Sequence, residues 1–174
     1  EKLGLDFDFL YAPLDVSKFD ILDENSKIKN QIVYIGRDSY EKGIDILREI
    51  ESKINGDVIY CTELKWKEAM NILKKSSILV IPSRMESIPQ VIKEAFFLKI
   101  PIVATNVGGI PELIENDVSG ILVEPNNPEK LLEAINGLIE NEELAQKLAK
   151  NGYDFVMKNL TWETLLPKYI KFYK

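Results

Sequence analysis

Two carboxylates, Glu86 and Glu94, flank a proline in the stretch Ser83-Arg-Met-Glu-Ser-Ile-Pro-Gln-Val-Ile-Lys-Glu-Ala95. A second stretch, Gly36-Arg37-Asp-Ser-Tyr-Glu-Lys42-Gly43, sets two cations between glycines. A carboxylate accepts paired hydrogen bonds from a vicinal diol, the group a ribose or a hexose offers. An Arg fork grips phosphate oxygens bidentately, and Lys acts on them as a point charge. Together these residues allow recognition of a phosphorylated sugar derivative, with cations on the phosphates and carboxylates on the hydroxyls. Each piece also has a plainer reading, the cationic loop as a solvated turn and Glu94 as a helical surface residue beside Lys93. The chain contains no histidine, so the commonest general base and any histidine metal ligand are missing from it.

The elements that must position these residues alternate along the chain. From Gln31 onward short apolar runs alternate with helical patterns, the signature of strand–helix repetition and a mainly parallel sheet. Five runs read as strands: Ile32 to Ile35, Val58 to Cys61, Ile78 to Ile81, Ile102 to Ala104 and Gly120 to Val123. Their two-sided apolarity predicts cover on both faces. Ile44, Leu47, Ile50 and Ile54 recur at helical spacing, as do Trp66, Ala69, Met70 and Leu73. Asn127 before Pro128, with Leu131, Leu132, Ile135, Leu138 and Ile139, gives an N-cap, a first-position proline and an apolar stripe. Two more helical patterns follow, Leu144 to Met157 and Thr161 to Tyr173, the latter with a kink expected at Pro167. Residues 1–30 read as a lead-in with a candidate edge strand at Phe9-Leu-Tyr-Ala-Pro, and 31–174 as one ligand-binding domain whose C-terminal helices begin at about 142.

An open α/β sheet binds ligands at the carboxyl ends of its strands, so the loops after the apolar runs carry the site. In the loop after the third strand, Ser87 is the expected N-cap with Pro89 in the first turn, which leaves the amides of Gln90 and Val91 facing an anion. Glu86 precedes that cap, and Glu94 lies about one and a half turns into the helix with its side chain tilted back toward the start, so both can border one cleft. Thr105-Asn-Val-Gly108-Gly109-Ile-Pro111-Glu112 is another glycine-rich entry to a helix, serving either close backbone approach or a tight turn. Leu64, in the turn after the second strand, is the position left for a base ring. Trp66 reads as core rather than a stacking platform, and Cys61 as a small buried residue.

Composition excludes several classes. At 174 residues with 45% hydrophobic content the chain can bury a core of its own. A formal charge of −6 argues against nucleic acid or an anionic membrane as the main partner. The longest apolar runs, Ile78 to Pro82 and Ile100 to Ala104, fall far short of the roughly 20 residues that span a bilayer. One cysteine allows no internal disulfide, and a reducing compartment, the cytoplasm, is the expectation. The chain opens at Glu1 without a methionine or signal-like segment, which reads as a piece of a longer protein.

Gly36-Arg37 with Lys42-Gly43, Pro82-Ser83 with Glu86 and then Glu94-Ala95, Pro101-Ile-Val-Ala-Thr105 with Val107-Gly-Gly-Ile-Pro-Glu-Leu113, and Ser119-Gly-Ile-Leu-Val123 stand in one order. In that order they resemble the donor-binding, C-terminal half of retaining glycosyltransferases of family 4 (group 1), which have the GT-B architecture. Tyr11-Ala-Pro-Leu-Asp15 through Phe19 looks like the interdomain segment of that family, and Thr161-Trp162 begins what resembles its terminal helix. The resemblance implies a Rossmann-like parallel sheet with helices on both faces. It also implies that Arg37 and Lys42 bind the donor diphosphate and stabilise the charge on the leaving nucleotide. Glu94 would hold the ribose hydroxyls and Glu86 the transferred sugar near its anomeric face, with Gly36, Leu64, Ile88, Gln90 and Val91 completing the donor site. Neither metal nor cofactor is implied; the nucleotide sugar is the substrate. Retention in the family is attributed to attack on the face of departure, so Glu86 is not assigned as a covalent nucleophile.

The resemblance further implies an N-terminal acceptor-binding domain, the source of a catalytic-site histidine in the family and of any peripheral membrane association. This chain alone is therefore expected to bind a nucleotide sugar and to turn over little. It departs from the family pattern in three places: one strand–helix unit fewer between the first helix and Ile78, Ser87 for a common glycine, and Lys99 for another, where an altered turn is expected. A nucleotide-sugar epimerase-like enzyme and an inactive nucleotide-sugar-binding module on the same fold are the competing functions. The absent histidine counts against the first, and the retained Arg37, Lys42, Glu86 and Glu94 against the second.

Overall fold

The computed structural model of the chain describes residues 10–24 and 26–173. Five parallel strands, β1 (Gln31–Ile35), β2 (Asp57–Cys61), β3 (Ile78–Ile81), β4 (Ile102–Thr105) and β5 (Ile121–Val123), lie in the order β2-β1-β3-β4-β5. Ile32 pairs with Val58 on one side and Ile78 on the other, and Val80 with Val103, so the strand centres are level across the sheet. This is the expected Rossmann-like α/β fold. Its strand order puts the reversal of winding between β1 and β3, the crevice where doubly wound sheets bind ligands.

The strands feed two cores. Val33, Leu79, Ile81, Ile102 and Ala104 pack on one face with residues of α2 (Trp66–Lys75), α3 (Gln90–Phe97), α4 (Ile110–Leu113) and α6 (Glu142–Asn159). Ile32, Tyr34, Ile78, Val80 and Val103 pack on the other with α1 (Ile44–Ile50) and α5 (Pro128–Glu140). Both faces are sealed, so the strands need apolar side chains at successive positions, which is why they read as continuous runs. Asn127 caps α5 as expected, its side chain accepting from the Lys130 amide at 3.0 Å. Asn141 caps α6 in the same way through the Leu144 amide, which starts that helix two residues before its apolar pattern does.

Several expectations fail locally. No strand forms at Leu10 to Pro13, and Phe9 lies outside the described residues; Leu14 instead bridges Thr161, its amide donating to Leu160 O at 2.7 Å. Helix α1 stops at Ile50, and Ile54 is buried only after a 3-10 turn over Glu51–Lys53. Ser87 does not cap α3. The cap residue is Pro89, in extended conformation with ψ 123. A helix capped at Ser87 would need helical angles at Ile88, and the residue before a proline is driven out of that region. Lys99 takes the left-handed conformation itself, φ 54, with its amide on Phe96 O. Helix α7 (Trp162–Phe172) forms as expected, with Pro167 in its interior.

Candidate functional site

The β1 loop is shaped by its own strand. The Tyr34 hydroxyl donates to the Arg37 carbonyl at 2.6 Å, and burial pushes that phenol up to about 12, so it remains a donor. A side chain at Gly36 would press on the same phenol, 2.9 Å from its oxygen. A 3-10 turn over Tyr40–Lys42 then ends in Gly43 at φ 65 and opens α1. A Cβ at Gly43 would overlap the carbonyl oxygen of Pro82 in the β3 loop, so glycine is required both for the angle and for the approach.

That approach delivers Lys42 onto Glu86. Lys42 Nζ lies 2.6 Å from Glu86 Oε1, and the Ser83 hydroxyl donates to the same oxygen at 2.9 Å. The Glu86 side chain is 9% exposed and that of Lys42 23%, so the pair is largely shielded from solvent. Arg37 is exposed and makes no side-chain hydrogen bond or ion pair among the described residues.

Two further contacts fix the Glu86 loop. The Gly109 amide donates to Ser87 O at 2.7 Å, and a Cβ at Gly108 would overlap Glu86 O, so the β4 loop closes on the backbone of the β3 loop. Of the two readings of that glycine pair, close approach is the one realised. Arg84 acts from the other side: its fork holds Asp45 at 2.7 and 2.8 Å, Nε donates to Asn126, and Nη1 donates to the Tyr40 carbonyl. Its guanidinium also lies 4.0 Å from the centre of the Tyr40 ring. Arg84 thereby ties the turn carrying Lys42 to the strand end carrying Glu86.

Glu94 is half-buried, and its Oε1 accepts from Trp66 Nε1 at 2.7 Å. Burial raises its pKa, with the Trp66 hydrogen bond and Lys93 opposing. Trp66 is core, as its spacing predicts, stacking edge-on against Phe19 at 5.4 Å, but its ring nitrogen also orients a site carboxylate. Lys93 is no surface neighbour: it is fully buried and donates to the Ala12 carbonyl at 2.6 Å. Thus Lys42 and Glu86 meet, while Glu94 stands apart on α3 without a hydrogen bond to either. Gln90 and Leu64 are exposed, Val91 and Ile88 half-buried against the core. Sequence reasoning quoted Ser83 only as part of a motif and passed over Arg84 and the Trp66 ring nitrogen; only the position of Arg84 at the strand end could have singled it out.

Among the described residues, no group of three His, Cys, Asp or Glu comes together as a metal cage, and no helix is long and apolar enough to cross a membrane.

A family model described as glycosyl transferases group 1 matches residues 19–155. An uncharacterized glycosyltransferase of Methanocaldococcus jannaschii is 42% identical over 96 residues, which is 55% of this chain and 27% of that protein. The chain spans about half or less of the curated relatives it matches. Its fold superimposes on Anabaena HepE, solved in complex with UDP-glucose, with a TM-score of 0.74 at 20% identity, covering 82% of this chain and 48% of that one. The C-terminal domain of a group 1 family glycosyl transferase from Francisella tularensis gives a TM-score of 0.64 at 24% identity, covering 77% of this chain and 87% of that one.

Proposed function

The chain belongs to the group 1 glycosyl transferases, and on that premise we propose that it is the nucleotide-sugar-binding half of a retaining, family 4 enzyme. In this reading it presents a hexose from a nucleoside-diphosphate sugar to an acceptor held by an N-terminal domain of the full-length protein. The chain alone then binds donor and turns over little. The observation that carries the reading is the Lys42–Glu86 pair at the switch point between β1 and β3.

The proposed roles follow from the contacts. The Lys42 ammonium has three protons, so it can keep Glu86 and still donate to a diphosphate oxygen. Arg37, exposed and without a side-chain hydrogen bond or ion pair among the described residues, closes on the phosphates from the rim. Both cations gain in value as the glycosidic bond breaks and charge collects on the leaving diphosphate. They supply charge where other transferases use a metal, and the proposal includes none. The Gln90 and Val91 amides at the start of α3 face the phosphates. Glu86, steadied by Lys42 and Ser83, contacts the sugar to be transferred. Glu94 keeps Oε2 available for the ribose diol while Trp66 holds Oε1. Gly36, Ile88 and Leu64 complete the wall, Leu64 on the base side.

Calorimetric titration of the chain with uridine, guanosine and adenosine diphosphates and their hexose conjugates tests this. Saturable binding of at least one is expected; folded protein that binds none would sink the proposal.

Glu94→Gln separates two effects. A buried carboxyl whose pKa is raised above its ordinary 4.5 binds its proton more tightly folded than unfolded. Its ionisation therefore subtracts stability progressively as pH rises past that value. The glutamine variant, which keeps an acceptor for Trp66, is expected to melt no lower than the parent near pH 7, with any advantage fading in acid. Its nucleoside diphosphate affinity should nonetheless fall about tenfold, the scale of a charge-assisted hydrogen bond lost. Glu86→Gln should instead weaken mainly the sugar-bearing donor. Equal losses for both ligands in both variants would refute the division of roles.

A further inference from the structure

A cavity of about 400 Å³ opens at the amino edge of the sheet, the end opposite the crevice that holds Lys42 and Glu86. Its walls are apolar: Ile78 and Pro101 at the sheet edge, Leu138 and Ile139 at the end of α5, Ala145 and Ala149 on α6. Lys27, Lys29 and Lys99 also line it, against one carboxylate, Glu142. In a chain of formal charge −6 this is a local inversion of sign.

All three lysines are exposed, and Lys27 and Lys99 are held in place. Lys27 donates to Ser76 O at 3.0 Å, and its segment is pinned by the Ile28 amide on Lys75 O and by the Ser77 hydroxyl on Ile28 O. Lys99 holds a left-handed conformation that glycine would adopt at less cost, and its ammonium sits 4.5 Å from the centre of the Tyr153 ring. None of the three makes an ion pair among the described residues. Glu142 has one oxygen taken up by the Gln146 amide at 2.9 Å. The cavity is thus an apolar slot with uncompensated cations, of the size of a small-ligand pocket. A phosphate monoester carries a charge of about −1.5 to −2 near neutral pH, which matches three lysines less one carboxylate.

We infer that this amino-edge cavity is a second binding site, for a phosphate monoester with a compact apolar substituent. Lys27, Lys29 and Lys99 meet the phosphate, and Ile139 and Ala145 meet the substituent. The ester is either a soluble metabolite or the headgroup of a lipid; the recognising chemistry is the same.

The test uses the chain carrying Arg37→Ala, which weakens the other anion-binding crevice, and titrates it with phenyl phosphate, inorganic phosphate and benzyl alcohol. One-to-one binding of phenyl phosphate is expected, about tenfold or more tighter than either fragment alone, since both halves of the slot contribute. Adding Lys27→Ala and Lys99→Gly should weaken it by about tenfold or more; glycine at φ 54 relieves the backbone, and because Lys27→Ala also removes the hydrogen bond to Ser76 O, the loss is scored only on protein whose thermal unfolding matches the parent's. Folded protein that does not saturate with phenyl phosphate overturns the inference. So does binding unmoved by the two lysine substitutions, or inorganic phosphate binding as tightly as the ester. Sedimentation with phosphatidylcholine vesicles, with and without phosphatidic acid, then assigns the source. Lysine-dependent pelleting only with phosphatidic acid marks a lipid headgroup, and binding of phenyl phosphate without pelleting marks a soluble ester.

Discussion

Under the proposed function, Lys42→Ala is expected to lower kcat/KM for glycosyl transfer by about 10²–10³, the scale of removing one preorganised donor from developing negative charge. The same substitution strips Glu86 of its ion-pair partner in a place where its side chain is 9% exposed, leaving only the Ser83 hydroxyl on Oε1. The variant is therefore expected to lose stability as well, and stability and function must be read separately. Lys42→Met combined with Glu86→Gln does that: it removes both charges, restores most of the lost stability, and leaves donor binding and turnover impaired. Lys42→Arg, which keeps the charge, should retain more activity than either. Steady-state kinetics alongside urea denaturation distinguishes these outcomes. Turnover within about threefold of the parent for Lys42→Ala would remove that residue from the transition-state argument.

Gly43→Ala is expected to be the most damaging single-methyl change. The residue combines φ 65 with a Cβ position occupied by the Pro82 carbonyl. A left-handed alanine costs about 1–2 kcal/mol, and forcing a methyl into packed surroundings adds about 1–3, for a loss of roughly 2–5 kcal/mol. Gly137 provides the internal control: it lies inside α5 with nothing within 4 Å of where an added methyl would stand, so Gly137→Ala should stabilise by about 0.5–1 kcal/mol. Urea midpoints of the two variants should move in opposite directions; a Gly43→Ala midpoint equal to the parent's would refute the tight apposition of the β1 and β3 loops.

The fold was legible because its strands are apolar on both faces and its longer helices carry their own stripes and caps. The strand order was not, since pairing depends on contacts between distant segments. In the candidate site, the residue types at the strand ends pointed to Lys42, Glu86 and Glu94. What they contact did not follow from spacing. Trp66 and Glu94 are apart in sequence, and Arg84 reaches Asp45, Asn126 and the Tyr40 carbonyl on three separate segments. Lys93 shows the limit best. Beside a site glutamate on a short helix it reads as a solvated cation, yet it is buried, because its ammonium finds a carbonyl on a segment that no local pattern brings there.

That segment, from Tyr11 to Leu14, is gripped largely by its peptide groups. Lys93 takes the Ala12 carbonyl, the Tyr169 hydroxyl takes the Tyr11 carbonyl, and the Leu14 amide meets Leu160 O; of its polar side chains, the Tyr11 hydroxyl reaches Glu112. Peptide groups are common to all residues, so a strap fastened this way prescribes a path while leaving its lettering nearly open. Ala12, which offers only its carbonyl, could be rewritten without loosening the strap, whereas Tyr11, bonded to Glu112, and the apolar anchor at Leu14 could not. An exchange of Ala12 for serine would pass unnoticed, whereas the loss of the one ammonium at Lys93 would free the middle of the strap and leave only the ties at Tyr11 and Leu14.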